Sequence, residues 1–236
     1  WGTFLYGIHD TPFKTLGRKV TFFKDEVGDF RTMTVGYDQR LNDVLVYATP
    51  KNDMWGGQLA YQLDQNDWQM EDAESATAFS GMVYVTPMEG DLFVGVAYEN
   101  WSKGYFNEMI ADDDESIKST SAFRGAAKWH GEKFAVSGLF QSVSDWYTIA
   151  GIDATTFGLE ALFKAAEKWH FKGNFYNTTI KVEGEDEDVK GSQFALGIDH
   201  GAVERERDAL APVEEARDDG VERLEAALEG LPADGV

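Results

Sequence analysis

The stretch Thr120–Gln141, "TSAFRGAAKWHGEKFAVSGLFQ", decides how the fold is read. In its first half Phe123, Ala127 and Trp129 alternate with Arg124, Ala126, Lys128 and His130. In its second half Phe134, Val136, Gly138 and Phe140 alternate with Ala135, Ser137 and Leu139. Successive side chains of a strand point to opposite faces, so each half reads as a strand with one greasy side and one side of polar or small residues. The "HGEK" between them has the length and composition of a tight turn, which makes the pair a hairpin.

Outward from this hairpin the same meter continues in both directions. Ten segments carry aromatic and branched side chains at every second position: Trp1 to Ile8, Arg40 to Ala48, Trp55 to Asp64, Thr77 to Val85, Asp91 to Trp101, Thr120 to His130, Glu132 to Gln141, Thr155 to Lys164, Lys168 to Asn177 and Ser192 to His200. "KWHFKGNFYN" repeats the division, with Trp169, Phe171 and Phe175 opposite His170, Lys172, Asn174 and Tyr176. Tight connections such as "TPKNDMW", "TPMEGD" and "KAAEK" alternate with long acidic ones such as "QNDWQMEDAESA", "SKGYFNEMIADDDESIKS" and "TIKVEGEDEDVKG". In an up-and-down antiparallel barrel, successive connections lie at opposite rims, so one rim carries the tight turns and the other the long loops. The segment between Ile8 and Arg40 is about thirty residues, too long for a turn and too charged for a core, and it falls on the long-loop rim.

Composition bounds the function. The 236 residues carry 21 Lys and Arg against 42 Asp and Glu, a net charge of -21, which argues against a nucleic-acid partner because phosphate binding needs clustered bases. There is no cysteine, hence no disulfide, thiolate metal site or cysteine nucleophile. No run of about 20 apolar residues can form a transmembrane helix, whereas a membrane β-barrel needs strands of only about 9 to 11 residues. A soluble β-sandwich or β-barrel binding module also alternates, so the position of the aromatics matters. Trp55, Tyr84, Trp129, Phe134 and Trp169 lie near the tight-turn rim, as an interfacial aromatic belt requires, and Trp101 and Tyr176 near the other.

The stretches "WGTFLYGIHDTPFKT", "FFKDEVGDFRTMT" and "RLNDVLVYATP" resemble the middle of a Gram-negative general diffusion porin of the outer membrane, over about residues 1–200. That resemblance implies an all-β transmembrane barrel of which about ten of sixteen strands are present, an internal fragment consistent with a start at Trp1. It also implies a homotrimer of water-filled pores for ions and small hydrophilic solutes, with no cofactor and no chemical step. Its third external loop folds inward, so residues of about 9–34 become the constriction loop. The charges there are Asp10, Lys14, Arg18, Lys19, Lys24, Asp25, Glu26, Asp29 and Arg31; charged side chains at a narrow waist exert a focused field on passing solutes. Arg40, Arg124, Lys128 and Lys172 are the candidate bases of the facing wall, while Val44 and Val46 stand where a further base is expected.

The acidic runs Asp112–Ser116 and Glu183–Val189 lack the spacing of a calcium loop and read as solvated loops; contact with lipids and lipopolysaccharide through divalent cations is the alternative. No HExxH, GxSxG or phosphate-binding glycine loop occurs, and His9, His130, His170 and His200 have no metal-ligand spacing. After His200 the pattern stops: residues 201–236 have no aromatic residue and read as an acidic tail, helix-prone or disordered, or as the product of a shifted reading frame.

Overall fold

The computed structural model describes residues 1–200 apart from 35, 51, 53, 64–76, 88–90, 103–117, 167 and 186. The acidic run Asp112–Ser116 and the 201–236 tail both lie wholly outside the described residues. Ten strands follow one another: β1 (Thr3–Asp10), β2 (Arg40–Ala48), β3 (Trp55–Gln62), β4 (Ala78–Val85), β5 (Leu92–Trp101), β6 (Thr120–His130), β7 (Phe134–Ser144), β8 (Ile152–Ala166), β9 (Trp169–Val182) and β10 (Val189–His200). Each pairs antiparallel with its chain neighbour, giving one sheet in strict sequence order. Among the described residues the sheet is not closed: β1 pairs only with β2 and β10 only with β9.

The hairpin Thr120–Gln141 has the register its alternation requires, with Trp129 opposite Val136 and Lys128 opposite Ser137. Strands β8, β9 and β10 run further toward the long-loop rim than their aromatic meter suggests. Thr178–Val182 and Val189–Gly191 continue the ladder there with polar and β-branched residues rather than aromatics.

The two faces differ as a bilayer demands. One is covered by aromatic and aliphatic side chains left exposed among the described residues, such as Phe4, Ile8, Leu59, Val94, Phe140, Leu159, Phe171, Phe194 and Leu196. A soluble sheet would need a second layer over such a surface, whereas lipid supplies one for a barrel. The opposite, inner face carries the buried residues, including Ala60, Ser80, Glu99, Arg124, Gln141, Glu160 and Lys172.

What buries that inner face is the segment between β1 and β2. It opens with helix α1 (Pro12–Val20), which runs across β3 to β7. The helix was not marked by strand periodicity, but Thr11 accepts a hydrogen bond from the Lys14 amide as N-cap, Pro12 sits in the first turn, and Phe13, Leu16 and Val20 share one face. These three side chains are fully buried against the wall.

Candidate functional site

The loop is fastened along its whole length, and its span exceeds the sequence estimate. Its last anchors, Tyr37 and Asp38, lie beyond residue 34. Near the middle of the wall, Arg124 on β6 donates through Nη1 to Asp38 Oδ1 at 2.7 Å and through Nη2 to Oδ2 at 3.0 Å. The same guanidinium donates to the Phe13 carbonyl at 3.0 Å and, through Nε, to Gln141 Oε1 at 3.1 Å, while Gln141 donates back to the Thr34 carbonyl at 2.9 Å. The fork geometry of Arg fits such convergent acceptors, and burial strengthens each of these bonds. Gly17 makes the fit possible, because a Cβ there would stand 2.5 Å from the Phe30 ring and 2.7 Å from Arg124 Nη1.

A second anchor holds the turn after α1. Glu160 on β8 accepts from the Thr21 hydroxyl at 2.9 Å, from the Phe22 amide at 2.5 Å and from the Tyr176 hydroxyl at 2.6 Å. Lys172 on β9 donates to the Phe22 carbonyl at 3.1 Å and to Glu26 Oε2 at 2.5 Å. The third anchor is a belt of wall amides and hydroxyls. Asn174 and Gln193 donate to the Gly28 carbonyl at 2.6 and 2.7 Å, and Thr156 and Thr178 donate to the Met33 carbonyl at 3.0 and 2.6 Å. Gly28 has a φ of 96°, and a Cβ on it would lie 2.5 Å from the Ala195 methyl, so both backbone conformation and proximity call for glycine in "DEVGDF".

These contacts relocate the wall bases named from sequence. Arg124, Lys128 and Lys172 were expected to face the waist; instead they are 0%, 4% and 4% exposed, covered by the loop. Loop aromatics lie directly over them: Phe13 at 4.1 Å and Phe30 at 5.3 Å from Arg124, Phe22 at 4.3 Å from Lys128, and Phe23 at 4.9 Å from Lys172. A cation over a ring face is attracted by the ring quadrupole, so each aromatic both hides a charge and is held by it. Arg40 is different: it stands exposed at the foot of the loop, donating to Asp10 at 2.9 Å, and Asp10 also accepts from Lys14.

The free side of the loop is lined by Asp25, Glu26, Asp29, Asp38 and Arg31. In three of its ion pairs the acid is the more exposed partner: Asp25 and Glu26 side chains are 55% and 47% exposed, against 21% for Arg18, 32% for Arg31 and 2% for Lys172, whereas Asp29, also paired with Arg31, is buried. The hydrogen bond from Arg18, with Arg31 adding to it, holds the Asp25 carboxyl down at about 2, so it stays ionised at any ordinary pH. Lys19 reaches back over the Tyr84 ring, and burial lowers its pKa; Lys24 is exposed at the turn.

The aromatic belt divides. Trp55, Trp129 and Trp169 stand on the outer face beside the tight turns, 40% to 49% exposed. Trp101, by contrast, is fully buried on the inner face, stacked on Tyr37 at 4.9 Å, and Tyr84 lies half-buried on that face beside Phe93. Tyr176 is likewise buried inside. Trp101 and Tyr84 occupy the right level along their strands but the wrong parity, since Trp101 alternates with the outward Tyr98 and Tyr84 with the outward Val83, while Tyr176 lies in the middle of β9.

The chain is thus a ten-stranded meander greasy outside, with an inward loop pinned to its polar face. Residues 1–203 match the Gram-negative porin family. This chain belongs to that family. The porin therefore resides in the outer membrane. Among solved structures it resembles a loop-deletion mutant of OmpT, an outer membrane protein of Vibrio cholerae, with a TM-score of 0.61 and 15% identity over 84% of this chain and 65% of that one. An in-vitro folded OmpT in trimer form matches with a TM-score of 0.61 and 15% identity over 84% of the porin and 61% of that chain. At such identity the likeness is one of fold, and the porin spans less than two thirds of the length of these structures. No curated protein matches it in sequence.

Proposed function

We propose that the chain supplies wall strands and the constriction loop of a water-filled outer-membrane channel through which ions and small hydrophilic solutes diffuse passively, with no chemical step. The observation that carries this reading is the loop itself, which crosses the inner face and is bonded to it from β4 to β10. A binding module has no need to pin so long a charged segment across the polar face of a sheet whose other face is apolar.

Selection at the waist rests on size and on the sign of the nearest charge. The carboxylates of Asp25 and Glu26 are the acids that meet water, while the bases that balance them lie behind, partly or wholly covered. The nearest unscreened charges dominate the potential within a Debye length of about 8 Å, so small cations are favoured over anions. The trimeric form of a structurally similar outer membrane protein supports a homotrimer here. Acidic external loops such as Glu183–Val189 are the surface through which divalent cations would bridge to lipopolysaccharide phosphates.

The test is the reversal potential of the intact protein in a planar bilayer under a salt gradient, compared with the variant carrying both Asp25→Asn and Glu26→Gln. The reading expects a cation-favouring potential that moves toward zero in the variant. An unchanged potential would remove these two carboxylates from selection.

A further inference from the structure

Glu99 on β5 takes no part in the loop anchors described above. It is fully buried on the inner face, opposite Ser80 of β4 in the ladder. Among the described residues no donor reaches either of its carboxylate oxygens with hydrogen-bonding geometry. An isolated buried carboxylate is costly, so its surroundings must offer it protons or positive potential.

Two hydroxyls face it, those of Thr11 and Ser80. Each already uses a lone pair to accept a first-turn amide of α1: the Lys14 amide donates to Thr11 Oγ1 at 3.2 Å and the Phe13 amide to Ser80 Oγ at 3.1 Å. A hydroxyl that accepts in this way keeps its own proton to donate. A small shift of the side chains that brings these oxygens into hydrogen-bonding position would direct both protons to Glu99 and polarise each amide–hydroxyl–carboxylate chain along its length. Helix α1 has no acidic residue in its own first turn. A negative charge near a helix N-terminus offsets the positive end of the helix dipole. The charges of Arg124 and Asp38 also face Glu99, but they form a bidentate pair with each other.

From this geometry we infer that Glu99 is the positioning residue of the constriction helix: the wall supplies, through the Thr11 and Ser80 hydroxyls, the N-terminal acid that α1 lacks. The two-hydroxyl relay fixes where the helix starts on the wall, and with it how far Phe13, Leu16 and Val20 carry the loop into the lumen. The inference depends on the channel reading only for its effect on current; the anchoring is read directly from amide exchange.

The experiment is hydrogen–deuterium exchange of the segment 12–20 in the intact, folded protein, with single-channel current noise as the second readout. Glu99→Ala should speed exchange of that segment about fivefold, the size expected for a lost helix cap, and leave the β6–β9 ladder unchanged. Ser80→Ala should do nearly the same, and the double variant should be little worse than either, because the two act as one unit. Glu99→Gln, which keeps the shape and one acceptor, should restore much of the protection. Additive effects of Glu99→Ala and Ser80→Ala, or unchanged exchange in either folded variant, would overturn the assignment. Should Glu99→Ala fail to fold, Ser80→Ala and Glu99→Gln decide on the same criteria. Faster exchange with unaltered current noise would uphold the anchor and tell against the channel reading instead.

Discussion

Replacing Arg124 by Met should release the far end of the inner-face loop while leaving the strands paired. The guanidinium is fully buried and Asp38, its bidentate partner, has a side chain only 4% exposed, so the substitution leaves a largely buried carboxylate with the Thr34 hydroxyl as its remaining donor. Breaking a buried pair from one side costs about 3 to 5 kcal/mol, because the surviving charge keeps its desolvation cost without its partner. The Gln141 oxygen and the Phe13 carbonyl lose donors as well. At about 1.4 kcal/mol per decade, a loss near 4 kcal/mol raises the population of the detached loop roughly a thousandfold. Amide exchange measured by mass spectrometry over residues 30–39 reads that population directly, since the Met33 amide is closed onto Phe30 and that of Tyr37 onto Thr34. The double variant Arg124→Met/Asp38→Leu removes both charges and should recover most of the protection. A folded Arg124→Met protein whose exchange rises less than about fivefold would refute the claim that this pair holds the loop.

Two further outcomes follow from the same contacts. Phe22→Ala uncovers Lys128, whose ammonium lies 4.3 Å from the Phe22 ring, so the reversal potential should shift toward anions and return when Lys128→Gln is added; no shift would show that the ring does not mask that charge. Asp25 titrates low because Arg18, and then Arg31, favour its charged form. A depressed carboxyl contributes its stabilisation above the ordinary value of 3.8 and loses it as pH falls through about 2, so current noise from the loop turn should stay flat down to about pH 4 and rise below it, whereas an onset near pH 6 would point to another group.

Much of this fold was legible because one physical signal repeats ten times. The parity of "TSAFRGAAKWHGEKFAVSGLFQ" separated Phe123, Trp129 and Phe134 from Arg124, Lys128 and Ser137 before any coordinate, and the structure keeps each on the assigned face. The same rule, applied strictly, would have placed Trp101 and Tyr84 inside; proximity to a rim was weighed in place of parity, and the rim is shared by both faces. The loop's helix also left a trace, a Thr-Pro start followed by Phe13, Leu16 and Val20 at helical spacing, which charge-based reading of the segment passed over.

What sequence could not supply is the pairing between the loop and the wall. Arg124 and Asp38 are separated by 86 residues, and Glu160 meets Thr21 across 139, so no local pattern links them. Bases on an inner wall look the same in sequence whether they face water or lie beneath a phenylalanine. Only the folded loop reveals that Arg124, Lys128 and Lys172 lie covered beneath it and that the carboxylates of Asp25 and Glu26 are left exposed.

The most direct test is a planar-bilayer recording of the intact outer-membrane protein at neutral pH under a salt gradient. The account predicts stepwise, ohmic conductance in groups of three, with a reversal potential of the sign set by cation preference. A water-soluble, monomeric product that never inserts or conducts would contradict it.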